Sequence, residues 1–128
     1  MRVTIEKFLI EKKDGIAVEC RTEFGSWRAL WVGEKPVPGN MYDIEIYIPY
    51  VLTWEHDIVL SEQRIFQMKE NENTVSFIGM ADSVKDDGLF FLRLGKDSIL
   101  MQAEGMPFPE GTWVEIIIKD LIVYDCNT

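Results

Sequence analysis

The chain has 128 residues, 47% hydrophobic and 27% charged, a balance that excludes disorder and fibrous repeats and leaves room for one ordinary domain or two very small ones. Its 22 acidic residues outnumber 13 lysines and arginines, for a formal net charge of −9. That excess argues against binding to phosphate backbones or anionic membranes and suits a basic partner or simple solubility. No apolar run approaches the ~20 residues of a spanning helix, and residues 1–7 lack the apolar stretch of a secretory signal. Two cysteines, Cys20 and Cys126, are too few for a disulfide scaffold, so a reduced, cytoplasmic chain is expected.

Taken in chain order, apolar and β-branched residues recur with a period of two. Strands are expected over 4–10, 16–20 and 26–32, then over 43–48, where Ile44, Ile46 and Ile48 line one face and Asp43, Glu45 and Tyr47 the other. A strand over 54–60 follows. Residues 61–70 admit two readings: a helix capped by Ser61, or a strand over 64–69 joined through a 70–73 turn to the next strand, which is favoured. Further strands are expected over 74–80, 89–94, 98–103, 113–119 and 121–125. Turn residues such as Asp14-Gly15, Asp87-Gly88 and Pro109-Glu110-Gly111 separate them. The fold class is therefore all-β, an antiparallel barrel or sandwich with at most one short helix.

Self-comparison shows an internal repeat. Residues 12–18 resemble 85–91 around the two Asp-Gly turns, which lie 73 residues apart. Each copy runs on to a proline-containing turn and then to a carboxylate–isoleucine strand, with Ile44 and Ile116 72 residues apart. Units of about 1–60 and 73–125 have the strand count of an OB-like five-stranded barrel. Two such barrels alone would have thin cores. One compact domain, residues 1–128, in which both units share an interior, is the expectation.

No catalytic motif is present: no GxSxG elbow, no phosphate-binding loop, no dinucleotide fingerprint. Neither a cofactor nor a metal is expected, since His56 is the only histidine and the cysteines lack ligand spacing. The chain is read as a non-enzyme. Its functional groups concentrate in Trp54-Glu55-His56-Asp57 and in the acidic segments holding Glu70, Glu72, Asp82, Asp86 and Asp87. Residues 1–64 carry 11 acids and 8 bases, and residues 65–128 carry 11 acids and 5 bases. The second half is thus twice as negative, and its turns would present carboxylates to a basic protein. Trp54, Glu55, Asp57, Glu70, Glu72, Asp82, Asp86 and Asp87 are the expected partner-binding residues. Trp27, Trp31 and Trp113 are either further anchors or core.

In size, acidity and the stretch from Asp87-Gly88-Leu89-Phe90-Phe91 to Trp113-Val114-Glu115-Ile116, the chain resembles the small bacterial toxin-immunity proteins. The resemblance implies stoichiometric inhibition of a cognate toxin, often a basic nuclease, with turn carboxylates standing in for phosphate. The alternatives are a β-barrel adaptor or scaffold subunit and an OB-like nucleic-acid module. The last is disfavoured because Lys12-Lys13 is the only adjacent basic pair.

Overall fold

The computed structural model describes residues 1–126. Its strands are β1 (Arg2–Lys12), β2 (Gly15–Thr22), β3 (Gly25–Val32), β4 (Met41–Tyr47), β5 (Leu52–Thr53) and β6 (Ile58–Leu60). After these come β7 (Gln67–Glu70), β8 (Val75–Asp82), β9 (Leu89–Leu94), β10 (Asp97–Glu104), β11 (Trp113–Ile118) and β12 (Ile122–Asp125). No described residue is helical, so the all-β expectation holds and the helical reading of 61–70 does not. In its place β7 pairs with β8 across a turn in which the Asn71 N–H donates to the Thr74 carbonyl.

Two sheets result. The first is a closed five-stranded barrel in the order β1-β2-β3-β12-β4, with β4 returning to β1. The second runs β5-β10-β9-β8-β11-β6, with β7 added on β8. Its two edge strands belong to one stretch of chain, residues 52–60, which a single bridge between Trp54 and Ile58 holds together. The second sheet is therefore a nearly closed barrel, and the chain forms two barrel-like units packed together.

The registers of the two barrels correspond. A shift of 72 residues carries the pair Cys20↔Trp27 onto Leu92↔Ile99 and Glu19↔Arg28 onto Phe91↔Leu100. The 73-residue spacing of the Asp-Gly turns is one residue out. It would set the inward Val18 against the outward Phe91, and a one-residue slip turns a strand inside out. In β1 and β8 the shift is 76, since Thr4↔Arg21 corresponds to Met80↔Arg93. β1 is the longer strand, with two bulges before its turn.

The fifth strands are exchanged between the units. β12, which follows β11, leaves the second barrel and closes the first by pairing parallel to β3 and antiparallel to β4. Residues 52–60, which follow β4, do the reverse. β5 lies parallel to β10 and β6 antiparallel to β11. Neither barrel is built from one contiguous half of the chain.

Alternation explains the strands and their burial. Along β3, Trp27, Ala29 and Trp31 point inward and Ser26 and Arg28 outward; β10 repeats this with Ile99, Met101 and Ala103 buried and Ser98 and Leu100 exposed. β8 departs from alternation, with Val75 to Gly79 all buried, because it is flanked by β7, β9 and β11. The buried side chains of both barrels form one cluster. Trp27 of the first meets Phe77 of the second edge-on at 5.8 Å between ring centroids. Trp27 and Trp31 are fully buried, which assigns them to the core and not to a binding surface. The indole N–H of Trp27 has no acceptor there.

β7 stitches the barrels together at their junction. Its Met68 N–H donates to the Phe24 carbonyl at 2.9 Å. Gly25 permits this approach, because a Cβ there would collide with the Met68 carbonyl.

Candidate protein-binding face

The 54–57 segment is a turn and not the start of a strand. Backbone N–H groups of His56 and Asp57 both donate to the Thr53 carbonyl, and the Asp57 carboxylate accepts from the Thr53 N–H at 2.8 Å. Glu55 adopts φ 71° to complete it. The turn interrupts the exchanged strand between β5 and β6. Glu55 through its backbone and Asp57 through its carboxylate therefore shape the turn, and the Glu55 side chain and His56 are exposed on it. Among the described residues no cluster of His, Cys, Asp and Glu is placed to hold a metal ion.

The other expected acidic residues divide between two places. Glu70 ends β7 and pairs with Arg28 Nε at 2.8 Å, while the Glu72 carbonyl accepts from the same guanidinium. Both face the first barrel. Asp82 turns back to accept from the Ser83 N–H. Asp86 and Asp87 are exposed on the β8–β9 connection, at the mouth of a cleft of about 650 Å³.

Of the rest of that cleft, only Trp54 is among the residues expected from the sequence. Its other wall is the β10–β11 connection, which brings Glu104 and Glu110 to the rim with Pro107 and Pro109. Lys85 is the one base in its lining. The floor is aromatic. Trp54 packs on Phe90 at 4.8 Å and on Phe108 at 5.4 Å between centroids. Trp54 is only 6% exposed, so it supports the cleft from below and is not a projecting anchor. Four acidic residues thus line a cleft with an aromatic base, in a region where the sequence offered only Trp54 and the pair Asp86-Asp87. Glu104 and Glu110 are isolated acids in sequence. Only the pairing of β9 with β10 and the folding back of 105–112 bring them together.

Both walls are fixed by backbone hydrogen bonds. The Leu89 N–H donates to Asp87 Oδ1 at 3.1 Å and the Ala103 N–H to the Gly88 carbonyl at 2.9 Å. On the other side the Gly111 N–H donates to the Ala81 carbonyl, the Ala81 N–H to the Thr112 carbonyl, and Thr112 Oγ1 to the Pro109 carbonyl. The backbone of both connections and the Asp87 carboxylate are therefore held in place before any partner arrives, which lowers the ordering cost of association.

The cysteines offer little chemistry. Cys20 lies in the first barrel, where burial first and the nearby Glu19 charge second push its thiol up to about 12. Cys126 is exposed and unpaired, and its thiol is also raised, mainly by partial burial. Neither is an activated thiolate at neutral pH.

No protein-family model matches the chain, and no curated protein or solved structure matches it. No helix among the described residues is long and apolar enough to cross a membrane.

Proposed function

We propose that the chain is a non-enzymatic inhibitor of the immunity type, which holds a basic protein partner against the acidic cleft of the second barrel. The observation that carries this reading is the arrangement of Asp86, Asp87, Glu104 and Glu110 around the floor of Trp54, Phe90 and Phe108. Carboxylates on rigid turns steer a basic partner and then hold it through complementary charge. The low-dielectric floor strengthens each ion pair formed over it. The four residues belong to turns and strand ends, so their backbone positions are set by the sheet.

The adaptor or scaffold reading draws on the shared core and the exchanged strands, but it assigns no role to the carboxylate rim. The nucleic-acid reading would use the outward face of β2 and β3, where Arg28 lies. That guanidinium is already neutralised by Glu70, which weakens it as a phosphate ligand.

The test is co-expression with the product of the adjacent gene. A neighbour lethal alone and harmless beside this chain is expected, with protection lost in the double charge reversal D86K/D87K. A neighbour that is harmless alone, or protection that survives the reversal, overturns the proposal.

A further inference from the structure

The registers of the two barrels allow their outward faces to be compared at corresponding positions. In the first barrel the outward cross-strand pair of β2 and β3 is Glu19↔Arg28. Both members are engaged within the chain, Glu19 with Lys7 at 3.6 Å and Arg28 with Glu70 at 2.8 Å. At the corresponding place in the second barrel, on β9 and β10, the pair is Phe91↔Leu100. Leu100 is 53% exposed.

Leu100 is not isolated. Tyr47 at the end of β4, Val51 just after it and Tyr124 on β12 are 52%, 46% and 40% exposed, and Tyr47 and Tyr124 lie 6.4 Å apart. They line two clefts of about 650 and 280 Å³ that share Tyr47 and Leu100 and so form one groove along the junction of the barrels. Among the described residues Glu45 supplies the one charged side chain lining it, and Met1 brings the N-terminal ammonium, which pairs with Asp97. The groove reaches the acidic cleft, because Leu89 lines both. A stretch of apolar surface with tyrosines, continuous with a charged rim, has the composition of an interface core and not of idle surface.

We infer that the outward face of β9 and β10 and the acidic cleft at its end form one docking surface, for a protein segment that carries apolar side chains beside a lysine or arginine. This rests on the acidic-cleft reading and adds to it the apolar half of the partner. Charge complementarity selects the occupant. A second copy of the chain, itself at net charge −9, would bring two carboxylate rims together, whereas a basic segment places its cation over the rim and its apolar residues in the groove. The tyrosines and Leu100 supply the burial and the carboxylates fix the register.

Three synthetic peptides of equal length test this against the full-length protein, by chemical-shift mapping and titration. One alternates lysine with leucine and phenylalanine, one replaces its apolar residues by serine, and one replaces its lysines by glutamate. The lysine–apolar peptide should bind at least roughly tenfold more tightly than the other two and shift the amides of Leu89, Leu100 and Tyr47 as well as those of Asp86 and Asp87. The variant F91E/L100R, which installs the pair of the first barrel, should remove that advantage and leave weak lysine–serine binding unchanged. Tyr47→Ser is the second variant should the double change impair folding.

Equal binding of the lysine–apolar and lysine–serine peptides overturns the inference and leaves the acidic cleft intact. Failure of both lysine peptides overturns the acidic-cleft reading as well. Equal binding of the glutamate–apolar peptide, or a dimer that buries Leu100, overturns the mixed basic–apolar occupant.

Discussion

The first and second barrels share strand order and register, and they differ in what they show the outside. Around its turns, over residues 11–15 and 32–40, the first barrel has three acids and three bases; over 83–88 and 104–112 the second has four acids and the single base Lys85. Its outward hairpin face carries Phe91 and Leu100 where the first carries the ion-paired Glu19 and Arg28. Inward positions agree between the two because both must fill a barrel. Outward positions are free to differ, and at this hairpin pair and around its turns the second barrel is apolar and acidic where the first is ion-paired and balanced. The contrast teaches that a shared scaffold constrains the interior, while specificity is written on the faces it leaves open.

The exchange of fifth strands makes the sharpest test of this comparison. Fragments 1–62 and 63–128 each lack the strand that closes their barrel. Each alone should show no cooperative unfolding transition, and an equimolar mixture should recover one, read by near-ultraviolet circular dichroism. A fragment that folds by itself would show that the barrels do not depend on each other.

The shared interior comes next in size. Trp27→Ala and Phe77→Ala should each cost about 3–5 kcal/mol in denaturant unfolding. Their double-mutant cycle should return a coupling of about 0.5–1.5 kcal/mol, as expected for an aromatic pair in contact. Strict additivity would mean two separate cores.

Alkaline pH distinguishes the barrels chemically, because Cys20 corresponds to Leu92, which does not titrate. In the folded chain the Cys20 thiol keeps its proton to about 12, against an ordinary value of 9.0. Above 9 the unfolded chain therefore binds fewer protons than the folded one, and stability falls as pH rises. The contribution is complete below 9 and is lost at up to about 1.4 kcal/mol per pH unit toward 12. Cys20→Ala should flatten this slope in urea titrations between pH 8 and roughly 10.5. An unchanged slope would assign it to other groups.

The smallest effect concerns the broken strand. β12 crosses the first barrel without interruption, whereas its counterpart turns at residues 55–57 with Glu55 at φ 71°. Glu55→Gly should relieve that conformation and raise thermal stability by roughly 0.5–1 kcal/mol. No gain would indicate that the Glu55 side chain repays the strain.

Much of this architecture was legible in the chain. The period-two pattern around Ile44 and Ile46, and again through Val114, Ile116 and Ile118, follows from the pleat of a strand buried on one side. The Asp-Gly turns mark where hairpins reverse and the proline turns where the chain crosses to a strand that is not its neighbour, and the similarity of residues 12–18 to 85–91 pointed to two like units, one residue out of the register that the strands adopt. Sequence also supplied Asp86 and Asp87 as acids on an exposed turn. It misread Trp54-Glu55-His56-Asp57, because alternation of type does not reveal a backbone reversal made by one Glu in the left-handed region and one Asp capping Thr53.

Other features were decided only in three dimensions. That β12 closes the first barrel, and 52–60 the second, is a choice of partner among strands of equal local propensity, settled by where each can complete a sheet and bury its inward face. Glu104 and Glu110 join Asp86 and Asp87 for the same reason: strand pairing, not sequence proximity, sets which carboxylates meet. Length, acidity and period two were fixed locally, since each residue carries its own charge and polarity. Partner choice, burial on both faces of β8 and the carboxylate rim depend on contacts between residues far apart in the chain, and those exist only once the barrels have closed on each other's strands.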